Sequence, residues 1–337
     1  MTFSLNLGLV GFGRMGQSHA HNITTQLRDA SLFAVAEPDA QLRASAVEKH
    51  APKHVVASID ELLALPGLDA VVIVTPTVTH TANIVAAAAA RKPVFTEKPL
   101  ALSLTDCRAS VEAMQSAGVQ LQLGFMRRFD AAYMEAHKRI TAGEIGTPIM
   151  FKGVGRDNGC PRPHFADPAK SGGLIFDMAI HDIDLARWLM NSEVDRVSAM
   201  GALLVCRDLA PVGDVDNAVI NLGYASGALG NIDTSRNAFY GYDIRHEILG
   251  TEGMIIVGSH ADAALLFKKT RADFDPINIP DRFGACYVTQ LEHFIDCVRN
   301  DKMPRVNGAD GIAASAICIA ATQAQKNGRT VEISEVL

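Results

Sequence analysis

The sequence predicts an α/β protein in which an N-terminal doubly wound parallel sheet precedes an α+β domain with a mostly antiparallel sheet. Two patterns support this prediction. Short apolar runs alternate with helical patterns up to about residue 124, and beyond about residue 145 strands follow one another over short turns. A chain of 337 residues is long enough for two domains. We place them at 1–124 and 125–337, with the last helices as candidates for packing back on the first domain.

The composition excludes several functional classes. The chain carries 31 Lys and Arg against 37 Asp and Glu, a formal net charge of −6, and 48% of its residues are hydrophobic. This is typical of a globular protein and offers no basic surface for nucleic acid. No apolar run approaches the roughly 18 residues of a membrane span, and the N-terminus lacks the basic start of a secretory signal. We therefore expect a cytoplasmic protein with no nucleic-acid or membrane partner.

The cysteines favour a reduced protein. No two of them form a CxxC pair, so zinc ribbons, thioredoxin-like chemistry and a dense disulfide framework are not expected. We expect reduced core thiols at all positions, which are Cys107, Cys160, Cys206, Cys286, Cys297 and Cys318.

The N-terminal region predicts parallel β-α-β units. Its apolar runs are short and bounded by Gly, Pro or Asp, as buried strands are. Helices are predicted at Met15–Leu27 and Thr79–Ala90, and a third begins at the capping residue Ser103 and ends at Gly118. The predicted strands are Leu5–Val10, Ser31–Ala36, Ala70–Val74, Pro93–Thr96 and Val119–Leu123.

The C-terminal region predicts a different sheet. In Asp216–Tyr224 every second residue from Ala218 is apolar, the alternation of a half-buried strand. A loop is predicted at Arg156–Gly173 and a helix at Asp177–Met190. The further predicted elements are the strands Val197–Leu203, Ala228–Asp233, Ile244–Leu249 and Met254–Val257 and the helices Val288–Arg299 and Ala309–Asn327.

The turn after the first strand has the GxGxxG spacing of a dinucleotide site. The first glycine permits a tight turn, the second lets the backbone approach a pyrophosphate, and the third lets the helix pack against the strand. The N-terminus of the helix then offers amide groups and a positive dipole to the phosphates. The residues of this turn are Gly11, Phe12, Gly13, Arg14, Met15 and Gly16.

The end of the second strand indicates which dinucleotide binds. Glu37 lies 21 residues after Gly16, where a carboxylate accepts hydrogen bonds from the ribose hydroxyls and repels a 2′-phosphate. This favours NAD over NADP. Arg43, a few residues on, keeps NADP as the alternative.

Two further segments carry candidate catalytic groups. Lys98, in Glu97-Lys98-Pro99 at the end of the fifth strand, can stabilise negative charge on a substrate oxygen; the alternative is a solvated lysine at a strand end. Asp177 and His181 are spaced i, i+4, and Asp184 follows His181 by three positions, so all three are expected on one helix face.

An imidazole next to a carboxylate can accept the proton of an alcohol as a hydride leaves. The alternatives are a structural histidine or a metal site formed by Asp177, His181 and His164. The absence of an HExxH-like or Cys/His ligand spacing disfavours the metal, so we expect none.

The order GxGxxG, EKP and GGxxxDxxxH resembles the Gfo/Idh/MocA oxidoreductase family over essentially the whole chain. The segments around Arg127, Asp157 and His181 are most similar to its inositol dehydrogenase branch. The resemblance implies a Rossmann domain and an open-faced sheet domain that builds dimers or tetramers through its outer face. Glu37 departs from the Asp of many relatives but keeps the charge.

The resemblance also implies roles for individual residues. Lys98, Asp177 and His181 are the implied catalytic residues, with the histidine as acid/base. The implied cofactor contacts beyond the glycine-rich turn and Glu37 are Thr75, Pro76, Thr77, His80, Glu97, Lys98 and Arg127. The implied substrate contacts beyond the catalytic residues are Arg128, Asp157, Asn158, Tyr240 and Tyr287.

The implied reaction is the NAD-dependent oxidation of a secondary hydroxyl of a cyclic polyol, such as myo- or scyllo-inositol. Relatives leave three alternatives open: NAD(P)-dependent conversion of an aldose or keto-sugar, a redox-neutral NAD-using glycosidase, and a non-enzymatic regulator that binds the dinucleotide. The loop at 158–171 matches no motif, and we expect it to help select the substrate.

Overall fold

A computed structural model describes residues 4–258, 267–268, 271–272 and 279–337. The chain divides into two compact units. Unit 1 comprises Met1–Met126 and Ala285–Ile312, and unit 2 comprises Arg127–Gly284 and Ala313–Leu337. Most of the penultimate helix, which follows the C-terminal sheet in sequence, therefore belongs to the N-terminal unit.

Unit 1 contains a six-stranded parallel sheet in the order β3-β2-β1-β4-β5-β6. Its strands are β1 Leu5–Val10, β2 Ala30–Ala36, β3 His54–Val56, β4 Ala70–Ile73, β5 Val94–Glu97 and β6 Leu121–Gly124. Its helices are α1 Arg14–Thr25, α2 Ala40–His50, α3 Ile59–Leu63, α4 His80–Ala89 and α5 Leu104–Ala117. The order reverses between β1 and β4, which is where doubly wound sheets bind their ligands.

The core of unit 1 explains why these segments fold as they do. Leu7, Leu9 and Phe95 on the central strands are fully buried, and Leu291 and Phe294 from the late helix α10 (Ile279–Asn300) complete the same cluster. Strands that are covered on both faces need continuous apolar runs, as the sequence has here.

Unit 2 contains a seven-stranded sheet in the order β12-β11-β7-β10-β9-β8-β15. All neighbours are antiparallel except β7 and β10. The strands of the C-terminal region are β7 Pro148–Arg156, β8 Val194–Ala202, β9 Asn217–Tyr224, β10 Leu229–Ser235, β11 Asp243–Gly250, β12 Met254–Val257, β13 Phe267–Lys268, β14 Arg271–Ala272 and β15 Val331–Glu332. The remaining helices are α6 Ala131–Thr141, α7 Pro163–Ala166, α8 Pro168–Ser171, α9 Ile180–Met190 and α11 Gly308–Asn327.

The predicted fold class is confirmed, and the differences are local. The predicted alternation in β9 is present, since Ala218, Ile220, Leu222 and Tyr224 are buried. The strands β3, β7, β13, β14 and β15 have no counterpart in the sequence prediction, and the predicted loop Arg156–Gly173 contains the short helices α7 and α8. β3 is only three residues long. β7 ends at Arg156, which is where the predicted loop begins, and no element was predicted for the rest of the strand. Among the described residues, no helix is long and apolar enough to cross a membrane.

The cysteine prediction was wrong for two of the six residues. Cys160 and Cys206 form a disulfide that closes a separation of 46 residues, whereas Cys107, Cys286, Cys297 and Cys318 are buried free thiols as expected. Spacing along the sequence does not reveal this pair, because the loop that follows β7 and the loop that follows β8 become neighbours only in the folded unit.

Candidate active site

The glycine-rich turn between β1 and α1 has the shape that a dinucleotide phosphate requires. Gly11 has φ +95°, and a Cβ there would lie 3.0 Å from the Val74 carbonyl oxygen. A Cβ on Gly16 would collide with the Gly11 carbonyl oxygen. Gly13, the N-cap of α1, has no heavy atom within 4 Å of the place its Cβ would take. The first turn of α1 therefore faces an open cradle that fits a phosphate.

Glu37 follows β2 and is 7% exposed. Its carboxylate accepts hydrogen bonds from the Phe12 amide at 2.7 Å and the Asp39 amide at 3.0 Å. Arg43 donates to the carbonyl oxygens of Glu37 and Pro38, both at 2.8 Å. A fixed carboxylate next to the glycine-rich turn fits an NAD ribose and opposes the 2′-phosphate of NADP.

The loop after β4 is fixed by His80, a buried residue at the start of α4. Its Nδ1 lies 2.9 Å from the Pro99 carbonyl oxygen and its Nε2 lies 2.9 Å from the Thr75 carbonyl oxygen. The ring is 1% exposed, and burial lowers its pKa. His80, whose predicted contact with the cofactor stays a prediction, directs both ring nitrogens at carbonyl groups. It therefore joins the loop at Thr75–Thr77 to the loop that contains Lys98.

The Glu97-Lys98-Pro99 segment continues from β5. Lys98 is half-buried, and the Lys98–Pro99 peptide is cis. Glu97 lies 2.7 Å from Nε2 of His19, a fully buried residue of α1. The ring of Tyr287 from α10 packs against the same histidine. The side chain of Glu97, the residue before Lys98, is therefore fixed by His19 of α1.

Unit 2 builds its candidate site at the start of a helix. Gly172 and Gly173 have φ +78° and +74°, and added Cβ atoms would lie 2.5 Å from Phe176 and 2.6 Å from Asp214. Only glycine tolerates this combination. A π-helical turn at Ile175–Ala179 then precedes α9, where a single α-helix from Asp177 was predicted. π-Helical turns inside helices are frequent at functional sites.

Asp177 lies in this π-helical turn and is held by an arginine from the sheet. Arg236 Nη1 donates to Asp177 Oδ2 at 2.9 Å, and Arg236 Nη2 donates to Asp214 Oδ2 at 3.3 Å. The Asp177 side chain is 41% exposed, whereas Arg236 and Asp214 are buried. Burial raises the pKa of Asp214, although the Leu174 amide and Arg236 oppose this. His181, at the start of α9, is half-buried.

A second ion pair lies beside His181. Arg127 Nη1 donates to Asp182 Oδ1 at 2.6 Å, and His246 Nε2 lies 2.9 Å from the same oxygen. Burial alone would lower the pKa of Arg127 and raise that of Asp182, but their mutual attraction reverses both directions. His246 is buried against Tyr133, and burial lowers its pKa. This network anchors α9 to β11 and to helix α6.

Arg128, a predicted substrate residue, has a buried partner in unit 2, and its contact with substrate stays a prediction. Its guanidinium makes two hydrogen bonds to Asp184, at 2.6 and 2.8 Å, and lies over the Trp188 ring. Both charged groups are buried. Asp184, which was expected on one helix face with Asp177 and His181, takes part in this buried pair.

The remaining predicted substrate residues lie at the ends of the sheet strands. Asp157 follows β7, and its amide donates to the Ser235 carbonyl oxygen at 2.9 Å. Asn158 is exposed next to it. Tyr240 donates to Asp243 at 2.9 Å and accepts from Arg156 at 3.1 Å. Across the described residues, no cluster of His, Cys, Asp or Glu could hold a metal ion.

Each unit therefore gathers its own set of predicted residues. Unit 1 holds the glycine-rich turn, Glu37, the loop at 75–77, Lys98 and Tyr287, and unit 2 holds Arg127, Arg128, Asp157, Asn158, Asp177, His181 and Tyr240. Arg236, Asp214 and His19 are not among the residues that the sequence predicts for the site. No spacing along the sequence marks Arg236, because its partners Asp177 and Asp214 lie 59 and 22 positions away and meet it only in the folded unit.

Two family models match the chain. Residues 5–125 match an oxidoreductase family with an NAD-binding Rossmann fold, GFO_IDH_MocA, and residues 133–256 match the GFO/IDH/MocA C-terminal domain.

Individual relatives cover nearly the full length. The chain is 41% identical to scyllo-inositol 2-dehydrogenase (NAD(+)) of Bacillus subtilis, over 99% of this chain and 97% of that protein. It is 35% identical to myo-inositol 2-dehydrogenase of Thermotoga maritima, over 99% of this chain and 100% of that protein.

Among solved structures, scyllo-inositol dehydrogenase of Lactobacillus casei, with bound NAD(H) and scyllo-inositol, superposes with a TM-score of 0.90 at 28% identity. The match covers 98% of this chain and 99% of that one. The glycine-rich turn and Glu37 fit the cofactor that this family binds. The chain belongs to the GFO/IDH/MocA oxidoreductase family and is an NAD-dependent dehydrogenase.

Proposed function

We propose that this dehydrogenase oxidises a secondary hydroxyl of a cyclic polyol, an inositol in the first place, to the corresponding ketone. The observation that carries the proposal is the partly exposed Asp177, held by Arg236 one helical turn before His181. A fixed carboxylate accepts hydrogen bonds from substrate hydroxyls, and a neighbouring imidazole accepts a proton. The full-length similarity to two inositol dehydrogenases supports the same substrate class.

The catalytic roles follow from the chemistry of the side chains. Bound NAD supplies a hydride acceptor at C4 of its nicotinamide ring. His181 accepts the proton of the reacting hydroxyl. Lys98 donates a hydrogen bond to the same oxygen and stabilises the negative charge that develops there. Asp177 accepts hydrogen bonds from the substrate and orients it toward His181.

Binding of the cofactor and of the rest of the substrate is distributed over loops. We assign the dinucleotide to the turn at Gly11–Gly16, to Glu37 and to the loop at Thr75–Thr77. Glu97 and Arg127 remain candidates for support of the nicotinamide end. Asp157 and Asn158 are the candidates for additional hydroxyl contacts; Tyr240 and Tyr287 are weaker ones, because both rings have protein neighbours.

The test is the formation of NADH or NADPH by the purified protein. The panel contains myo-inositol, scyllo-inositol, other inositols and several aldoses, each with NAD and with NADP. We expect turnover of an inositol with NAD, and turnover of aldoses alone would overturn the choice of substrate. Product formation without net NADH would indicate a redox-neutral glycosidase. Tight NAD binding with no turnover across the panel would indicate a regulator.

We also propose that the protein forms a dimer or tetramer through the outer face of the unit 2 sheet. Leu229, Leu249 and Met254 are exposed, and the strand register places them in one row with Met150. Met200, which is 80% exposed, and Val219 are paired on the same face. Apolar faces of this kind are usually covered by a partner. A monomeric mass by light scattering at micromolar concentration would contradict this.

A further inference from the structure

We propose that Arg236 is a positioning residue for the reaction: it holds the Asp177 carboxylate, from the buried side, in the orientation that receives the substrate. This inference rests on the proposed function and adds a residue that neither the motifs nor the implied family roles contain. Arg236 is expected to act through Asp177 and the segment that carries it, and not to contact the substrate.

The anchoring of Arg236 supports this role. It directly follows β10, which lies between β7 and β9 in the sheet, and its amide donates to the Asp216 carbonyl oxygen at 2.9 Å. The side chain is 3% exposed. A guanidinium on such a support loses little further freedom when it binds a carboxylate.

The two carboxylates that share Arg236 differ in exposure. Asp214 is 5% exposed and Asp177 is 41% exposed. Asp214 also accepts a hydrogen bond from the Leu174 amide at 3.0 Å, at the start of the helical segment that carries Asp177. Arg236 and Asp214 therefore fix both the charge and the backbone of this segment, and the exposed part of Asp177 faces solvent.

Loss of Arg236 should therefore act on the polyol and not on NAD. Without its cation, the carboxylate of Asp177 can rotate, and the buried Asp214 loses its counter-charge. A hydrogen bond to a charged group contributes more binding free energy than one between neutral groups. If Asp177 no longer holds a fixed orientation, the substrate loses part of this energy, and the KM for the polyol should rise roughly tenfold or more. The KM for NAD should not change, because the glycine-rich turn and Glu37 belong to unit 1.

The test compares Arg236→Gln and Arg236→Lys with the wild type on the inositol that the panel identifies. We expect the selective rise in polyol KM for Arg236→Gln and partial recovery for Arg236→Lys, which keeps the charge. The decisive arm is a double-mutant cycle: in an Asp177→Asn background, Arg236→Gln should raise the polyol KM by a much smaller factor than it does in the wild type.

Two results would overturn the inference. One is an equal change in the KM values for polyol and NAD, or additivity in the cycle, since either would show a general structural effect. The other is wild-type kinetics for a folded Arg236→Gln. If Arg236→Gln fails to fold, Arg236→Lys and its cycle with Asp177→Asn decide the matter by the same criteria. Absence of wild-type turnover on every polyol would instead refute the proposed function, and this assignment with it.

Discussion

Unit 1 and unit 2 prepare their sites with different parts of the chain. In unit 1 the glycine-rich turn is shaped by backbone: Gly11 and Gly16 lie against other backbone atoms, and Gly13 leaves an open cradle. In unit 2 the site is held by buried arginines that form ion pairs: Arg236 with Asp177, and Arg127 with Asp182. The backbone site is local in sequence, whereas the side-chain pairs join residues 59 and 55 positions apart.

This difference has energetic consequences. A cradle made of backbone is lost when a side chain fills it, and a glycine whose Cβ position is open, such as Gly13, has room for one. A buried ion pair is lost by removal of one partner, which leaves the other charge desolvated and destabilises the protein. The two units should therefore respond differently to substitution.

The largest expected effect concerns His181. The His181→Ala variant should lower kcat by roughly 10²–10⁴-fold, because the hydroxyl proton loses its acceptor. The measurement is NADH formation from the inositol with the highest wild-type turnover. A matched control is His21→Ala, which removes an exposed histidine of α1 and should leave turnover unchanged. Near-normal kcat in His181→Ala would reject the assignment.

Removal of a buried charge should give the next effect, on stability. Asp182→Asn leaves Arg127 without its counter-charge and should lower the free energy of unfolding by about 3–5 kcal/mol, measured by urea denaturation at pH 7. Glu135→Gln breaks an exposed pair with Arg139 and should change stability little. Equally small changes in the free energy of unfolding for both variants would show that the buried ion pair of unit 2 is not a source of stability.

The disulfide of unit 2 should contribute a comparable or smaller amount. Closing a separation of 46 residues corresponds to about 4 kcal/mol in the chain-entropy model, so Cys160→Ser should lose up to that much stability under oxidising conditions. Under a reducing agent the wild type and Cys160→Ser should unfold at the same urea concentration. A difference that persists after reduction would mean that the bond is not the cause.

Acid should weaken both units through their buried histidines. Burial lowers the pKa of His80 in unit 1 and His246 in unit 2 below the usual 6.5. The unfolded chain then binds more protons than the folded one, so stability falls as the pH drops below about 6.5. For each histidine the slope reaches at most about 1.4 kcal/mol per pH unit, between the pKa of the folded state and that of the unfolded state.

Asp182 does not contribute to the change in stability between pH 8 and pH 5. Its pKa is lowered, so its contribution is lost only when the pH falls below the usual 3.8 of an aspartate. Urea denaturation between pH 8 and pH 5 tests the prediction, with His80→Gln as the variant that should reduce the slope. A stability that rises toward pH 5, or an unchanged slope in His80→Gln, would contradict it.

The same contrast explains what the sequence reveals. The strand–turn–helix at Gly11–Gly16 and the carboxylate at Glu37 are readable because spacing along the chain dictates them. Asp177 and His181 are readable because they share one short segment. Arg236 and Asp214 were missed because the sheet brings them to Asp177 from other strands, and no local spacing encodes that encounter.

Burial decides the other differences. His80 and Arg128 stay predicted ligand contacts, and the structure adds protein partners that the sequence does not reveal: carbonyl groups for His80 and Asp184 for Arg128. The π-helical turn before α9 was also missed, because its residues have the same apolar pattern as an α-helix. Fold class follows from periodicity, whereas the roles of buried polar groups require the three-dimensional partners.

The central claim is that unit 1 binds NAD and unit 2 supplies the groups that act on the substrate. The dissociation constant for NAD, measured in Gly13→Val and His181→Ala, tests it most directly. Gly13→Val places a Cβ where no other heavy atom lies within 4 Å, so the protein should fold and bind NAD at least about tenfold more weakly, or 1.4 kcal/mol. His181→Ala should bind NAD as the wild type does. Equal losses in the two variants, or unchanged binding in Gly13→Val, would contradict the account.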